Sequence, residues 1–322
     1  MRAVTVTLNP AVDRILQIKT LTRGGTFDAD LMLTVPAGKG VNTARSLRSV
    51  FDGPIVAATW IGSDQAAWFK SWLAEHHGIR AASCERNGIR TRFAYTVLEQ
   101  CGRETHMKEN MRGVEPAHER ALLAFLQKTI RRGDLVALCG SAPKGTTGST
   151  IRKLLDLARE KGAAAVIADT NGEPLEVAGA AGLYGLKGNA AEIGGWLRLP
   201  DVLRVTKKTH RRALLAAFER EGAPKTILMT MGAAGALMAV PGRIFVAAPP
   251  PLGKKDCRAA TGCGDAATAG WLWAMSDGCS PAETLRRAVC CGTAKLASPD
   301  PGGLDVRRVR KFLKRVVVSE VR

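Results

Sequence analysis

Aromatic residues are scarce in this chain: they make up 5% of its 322 residues, with only two tyrosines. The densest basic clusters lie at Lys207, Lys208, His210, Arg211 and Arg212, and at Arg307, Arg308, Arg310, Lys311, Lys314 and Arg315. The first contains no Phe, Tyr or Trp and the second only Phe312, so neither has the run of interleaved aromatics that makes the stacking platform of a single-strand nucleic-acid binder. Paired metal-binding cysteines are also missing. The eight cysteines form no C-x-x-C pair, and the five histidines do not gather near them, which argues against a structural zinc site. No apolar run reaches the length of a membrane-spanning helix. The opening MRAVTVTLNP reads as a strand and not as a secretory leader. With no disulfide framework, the expected compartment is a reduced cytoplasm. Two nucleotide fingerprints are absent as well. There is no G-x-x-x-x-G-K-[ST] phosphate loop, and no G-x-G-x-x-G follows the first strand, which counts against a dinucleotide enzyme.

What is present is a formal charge of +18, from 47 Lys and Arg against 29 Asp and Glu, with 34 glycines. The positive charges are scattered along the chain, which fits a solvated basic surface around a site for anionic substrates better than a nucleic-acid partner. Short apolar runs of strand length occur at 4–8, 55–61, 135–138, 164–168, 183–186 and 226–230. Helical spacing or composition occurs at 46–51, 65–75, 117–128, 150–160, 266–275 and 282–297. Apolar strands separated by helices indicate βαβ units and a mostly parallel sheet covered on both faces. Near the end, Val306, Val309 and Leu313 share one side of a basic amphipathic helix. Residues 14–35 and 91–107 instead alternate apolar and polar positions, the pattern of antiparallel strands with one exposed face.

Four motifs carry chemistry. Ala260-Thr261-Gly262-Cys263-Gly264-Asp265 leads into a helix. Its glycines let main-chain N–H groups approach a ligand, and the helix start favours an anion. Asp265 there is either a reactive carboxylate or an ordinary N-cap. Pro36-Ala37-Gly38-Lys39-Gly40-Val41-Asn42 places a lysine between two glycines before a helix starting near Thr43. Lys39 suits a phosphate, and Asn42 suits a hydroxyl or a helix cap. In Lys187-Gly188-Asn189-Ala190-Ala191-Glu192, Asn189 and Glu192 share a helical face. They suit either the waters of a Mg²⁺–phosphate complex or a capped helix. Asp13, in the loop expected after the first strand, stands where α/β sheets collect ligands.

In this order, the motifs resemble the PfkB family of carbohydrate kinases, within the ribokinase-like fold. TVTLNPAVD is similar to the start of the 1-phosphofructokinase and tagatose-6-phosphate kinase branch, PAGKGVN to the first family signature, and ATGCGD to the second. LKGNAAE, GSAPKG, ADTNGEPL and TMGAAGAL fall between them in the expected order. The resemblance implies one kinase domain over 1–322: a three-layer α/β fold with a mostly parallel central sheet and a small β lid from 14–35 and 91–107. It implies transfer of phosphate from ATP to a hydroxyl of a ketohexose phosphate, with fructose 1-phosphate ahead of tagatose 6-phosphate and fructose 6-phosphate. A non-catalytic sugar-phosphate sensor is the alternative outside enzymology. By resemblance, Asp265 takes the proton, and Gly262, Cys263 and Gly264 stabilise the transferring group. Asp13, Gly38, Lys39, Asn42 and Arg92 hold the sugar phosphate. Lys187, Asn189 and Glu192 serve ATP and Mg²⁺, the last two through water. Thr230, Gly232 and Gly235 lie along the nucleotide, and two copies pair through the lid. Three positions depart from the family pattern: Ala37 in place of Gly, Gly188 in place of Pro, and His106 at an acidic lid position.

Overall fold

The structure, a computed structural model, describes residues 1–110, 113–253 and 256–321. The chain opens with β1 (Ala3–Thr7), β2 (Ala11–Ile18), β3 (Asp30–Ala37), α1 (Lys39–Arg48), β4 (Ile55–Gly62), α2 (Ser63–His77), β5 (Arg80–Arg86), β6 (Arg92–Glu99) and β7 (Glu104–Lys108). It continues with α3 (Pro116–Thr129), β8 (Leu135–Cys139), α4 (Gly148–Glu160), β9 (Ala165–Asp169), α5 (Glu173–Ala178), β10 (Gly185–Asn189), α6 (Ala190–Trp196) and α7 (Lys208–Ala216). The last part holds β11 (Thr226–Thr230), β12 (Ala236–Val240), β13 (Arg243–Ala247), α8 (Cys263–Ser276), α9 (Pro281–Lys295), α10 (Val306–Leu313) and β14 (Val318–Val321).

The larger sheet runs β14-β13-β12-β11-β10-β9-β8-β1-β4-β5. From β11 to β5 every neighbouring pair is parallel, and β12, β13 and β14 add an antiparallel edge that periodicity did not reveal. The strands are apolar on both faces because each face meets a helical layer. In β4, Ile55, Ala57 and Ile61 pack with α1, α2, α8, α9 and α10. The intervening Val56, Ala58 and Trp60 pack with α3 to α7. Residues two apart share a side, so one strand feeds two cores. On α10 the expected stripe is shifted: Val309 and Phe312 are buried, whereas Val306 and Leu313 are half-buried. Among the described residues no helix is long and apolar enough to cross a membrane.

The lid is a second sheet, ordered β3-β2-β6-β7. Its outer pairs are antiparallel, as the alternation suggested, but the central pair β2–β6 is parallel. The reason is topological: β2 follows β1 and β6 follows β5, and β1 and β5 point the same way in the main sheet. The first lid strand also starts earlier than expected, at Ala11. Asp13 therefore sits within β2, paired with Val35 and Ala94, and not in a loop. Ala37, at a usual Gly position, ends β3 fully buried beside Ala11.

Candidate active site

The two glycine motifs meet at the carboxyl edge of the main sheet. Helix α8 begins at Cys263, with Gly262 as its N-cap at φ 89. A side chain at Gly262 would be strained by that φ and would collide with the Pro301 carbonyl. Asp265 is thus the third helical residue and not the cap, and it is only 7% exposed. Helix α1 begins at Lys39 with Gly38, at φ 114, as its N-cap. Asn42 is therefore inside the helix, one turn on, where it reaches the second motif: its Nδ2 donates to Asp265 Oδ2 at 2.9 Å. Asn42 Oδ1 is buried with no protein partner, an acceptor left for a ligand donor. The Cys263 N–H is turned back to Ala260 O at 3.1 Å, so the loop makes its own tight turn.

Asp169, at the end of β9, lies at the centre of the charge network; it falls in the ADTNGEPL segment, but sequence reasoning assigned it no role. It is fully buried and accepts from Lys39 Nζ (3.2 Å), Lys187 Nζ (2.9 Å) and Thr268 Oγ1 (2.6 Å). Burial pushes its carboxyl pKa up, but Lys187, Lys39 and the Thr268 hydroxyl hold it net below the usual range. Asp169 in turn holds the Lys39 ammonium above its usual value. A side chain on Gly264 would lie 3.4 Å from Lys187 Nζ, which places that ammonium under the glycine loop. Burial, then the Asp169 charge, pushes Asp265 up to about 6 against Lys39 and the Asn42 hydrogen bond. Burial also pushes Asp13 up to about 7, opposed by Arg92 and Lys108. Buried carboxylates of this kind cluster at reactive sites.

Asn189 and Glu192 form a capping box on α6. Asn189 Oδ1 accepts from the N–H groups of Ala191 and Glu192, and Glu192 Oε2 accepts from the N–H of Asn189 at 2.8 Å. The capped-helix reading of this motif is therefore correct. Both residues also line the same cavity as Asp265. Among the described residues no group of three or more His, Cys, Asp or Glu is arranged to hold a metal ion.

Two cavities meet here. A polar one of 390 Å³ is lined by Asp13, Lys39, Asn42, Arg92, Glu192 and Asp265, with Gly38, Lys187, Asn189 and Gly262 completing its predicted members. An apolar one of 650 Å³ runs past Gly232, Gly235, Pro250, Cys263 and Val289. Thr230 and Gly264 line both, so the glycine loop is the doorway. Arg92, the first residue of β6, faces the polar cavity while donating to Asn9 O at 3.0 Å.

Sequence reasoning missed the lid's inward residues. Tyr95, His106 and Lys108 line the polar cavity. Glu104, on β7, accepts from the Ala260 N–H (2.5 Å) and from Thr261 Oγ1 (2.9 Å), and His106 Nε2 lies 3.1 Å from the same hydroxyl. The lid thus grips the glycine loop directly. The departure at His106 was visible as a sequence oddity, but its partner 155 residues away was not.

The model of the pfkB family of carbohydrate kinases matches residues 7–304. A 1-phosphofructokinase of Xanthomonas campestris pv. campestris is 30% identical over 330 residues, covering 100% of this chain and 99% of that protein. One from Rhodobacter capsulatus is 32% identical over 328 residues, covering 99% and 98%. A crystal structure of phosphofructokinase-2 from Escherichia coli, in complex with substrates and products, shares the fold at a TM-score of 0.86 and 21% identity, covering 98% of this chain and 99% of that one. A doorway between a polar and an apolar cavity, with a buried carboxylate beside it, suits transfer of a phosphoryl group between two ligands. On that site and these matches, the chain belongs to the pfkB family of carbohydrate kinases and is a sugar-phosphate kinase that uses ATP.

Proposed function

We propose that this kinase converts fructose 1-phosphate and ATP to fructose 1,6-bisphosphate and ADP, as its similarity to 1-phosphofructokinases suggests. The observation that carries the reading is the shared wall: Gly264 borders both cavities beside Asp265. The apolar cavity takes the adenosine, with Thr230, Gly232 and Gly235 along the nucleotide. The polar cavity takes the sugar phosphate against Asp13, Gly38, Lys39, Asn42 and Arg92. Asp265 accepts the proton of the attacking hydroxyl as its oxygen bonds to the γ-phosphorus. The bond to the β–γ bridging oxygen breaks, and ADP leaves. Of the Gly262, Cys263 and Gly264 backbone expected to stabilise charge on the moving group, Cys263 serves by closing the turn with its N–H on Ala260 O, while the Gly262 and Gly264 N–H groups, with Lys187 beneath, meet the charge.

Mg²⁺ supplies neutralisation of the triphosphate when bound. Such an ion needs few protein groups, and the donors fit. Glu192 uses only Oε2 in the capping box, which leaves Oε1 to orient metal-bound water beside Lys187 and Asn189. We further read residues 1–322 as one kinase domain. Two copies pair through the lid, whose strands expose Leu31, Met32 and Met107. Eight free thiols fit a reducing cytoplasm.

The test is ATP consumption with fructose 1-phosphate, tagatose 6-phosphate, fructose 6-phosphate and their unphosphorylated sugars. Fructose 1-phosphate should give the highest kcat/KM, and an unphosphorylated sugar turned over equally well would overturn the assignment. Arg92→Ala should raise KM for the sugar phosphate about ten- to a hundredfold, the worth of a charge-assisted hydrogen bond. KM for ATP should stay nearly unchanged.

A further inference from the structure

Lys295 ends α9 with an ammonium that no step above uses, and it is 0% exposed. The other buried ammonium near the loop, Lys187, is paired with Asp169. Lys295 Nζ instead donates to two main-chain carbonyls, Ala259 O at 3.2 Å and Ser298 O at 3.0 Å. Burying a charge without a counter-charge is costly, so its position matters.

Ala259 is the root of the glycine loop, and Ser298 belongs to the segment beneath it. The Arg258 N–H donates to Leu296 O at 2.7 Å, and Gly262 rests on the Pro301 carbonyl. Lys295 therefore sits at the seam between the loop facing the phosphoryl group and the segment that floors it. Rings of carbonyl oxygens are how proteins hold potassium, and an ammonium offers the same charge to the same oxygens.

We infer that Lys295 is a positioning residue, a tethered monovalent cation whose ammonium does the work of a free potassium ion in fixing the Ala260-to-Gly264 loop for phosphoryl transfer. Burial pulls the Lys295 pKa below its usual value, while Cys263, Glu104, Asp300 and Asp265 pull it back up. The inference rests on transfer at Asp265, and it implies that this enzyme needs no added monovalent cation.

The test compares potassium, ammonium and tetramethylammonium chlorides at equal ionic strength. Wild-type turnover and melting temperature should be the same in all three. Lys295→Ala should lose on the order of a hundredfold in kcat in tetramethylammonium, the cost of a loop displaced by about 1 Å. Potassium or ammonium should restore it. Lys295→Met fills the volume without the charge, so it should keep the loss and show no rescue. Potassium should also raise the melting temperature of Lys295→Ala but not of wild type. That readout needs no substrate, so it survives a wrong sugar assignment. Potassium-dependent wild-type turnover would overturn the inference. So would a wild-type kcat in Lys295→Met, or a Lys295→Ala variant that does not distinguish potassium from tetramethylammonium.

Discussion

Asp265 carries its charge where the fold disfavours it. Burial and the Asp169 carboxylate raise its pKa from 3.8 to about 6. The acid limb of kcat/KM should therefore fall near pH 6, because the protonated form cannot accept a proton. Asp169 raises that pKa directly, and it also engages the two lysines that lower it. Asp169→Asn should move the limb to lower pH, and a pH–rate profile of the variant reads this; a limb left near 6 would remove Asp169 from the electrostatics of the base. Asp265→Asn should cost roughly a hundred- to ten-thousandfold in kcat, with both substrates still binding by calorimetry. The sign for stability follows from linkage. A carboxyl whose pKa is higher folded than unfolded binds its proton more tightly in the native state. It therefore lowers stability as pH rises from 3.8 through 6. Above that window Asp265→Asn should melt no lower than wild type, and a markedly lower melting temperature would mean that the ionised carboxylate is structural.

At the scale of the element, α6 and β7 each combine a local task with a distant one. Asn189 and Glu192 cap α6 and also face the cavity. Glutamine at 192 keeps an acceptor for the Asn189 N–H, so Glu192→Gln separates the two tasks. Its melting temperature should change little, because cap acceptors are worth about 1 kcal/mol and this one is retained. The Mg²⁺ concentration for half-maximal rate should rise severalfold, and an unchanged metal titration would leave only the cap. Strand β7 carries the grip of the lid on the glycine loop through Glu104 and His106. The position of the lid and that of the loop are thus tied through these hydrogen bonds, and a lid held over the site helps exclude water as a competing acceptor.

For the whole molecule, the proposed pairing of two copies through the lid predicts its state of assembly. Leu31, Met32 and Met107 expose apolar surface on the edge strands of the four-stranded lid. Sedimentation should give a dimer for the wild type. Leu31→Asp should shift it toward monomer, since a charge would have to be desolvated in the interface. A wild-type monomer, or a mutant of unchanged mass, would separate lid and assembly. The charge of +18 is spread along the chain. At the site Lys39, Arg92, Lys108 and Lys187 stand among four carboxylates, those of Asp13, Asp169, Glu192 and Asp265.

The sequence by itself determined the parallel layered core, because strands such as β4 must be apolar on both faces to lie between two helical layers. It also determined the two glycine turns. A turn followed by a helix start is a local event, legible in a few residues, and all of the predicted site residues from Asp13 to Asp265 do line the paired cavities. The tertiary structure decided the rest, because those roles depend on partners far apart in the chain. Asp169 becomes the clamp on two lysines only when β9 lies beside β10, with Thr268 arriving from 99 residues away. Glu104 meets Thr261 across 157 residues, and Lys295 meets Ala259 across 36. The direction of β2 against β6 depends on how two distant strands leave one sheet, and no periodicity within either segment records that.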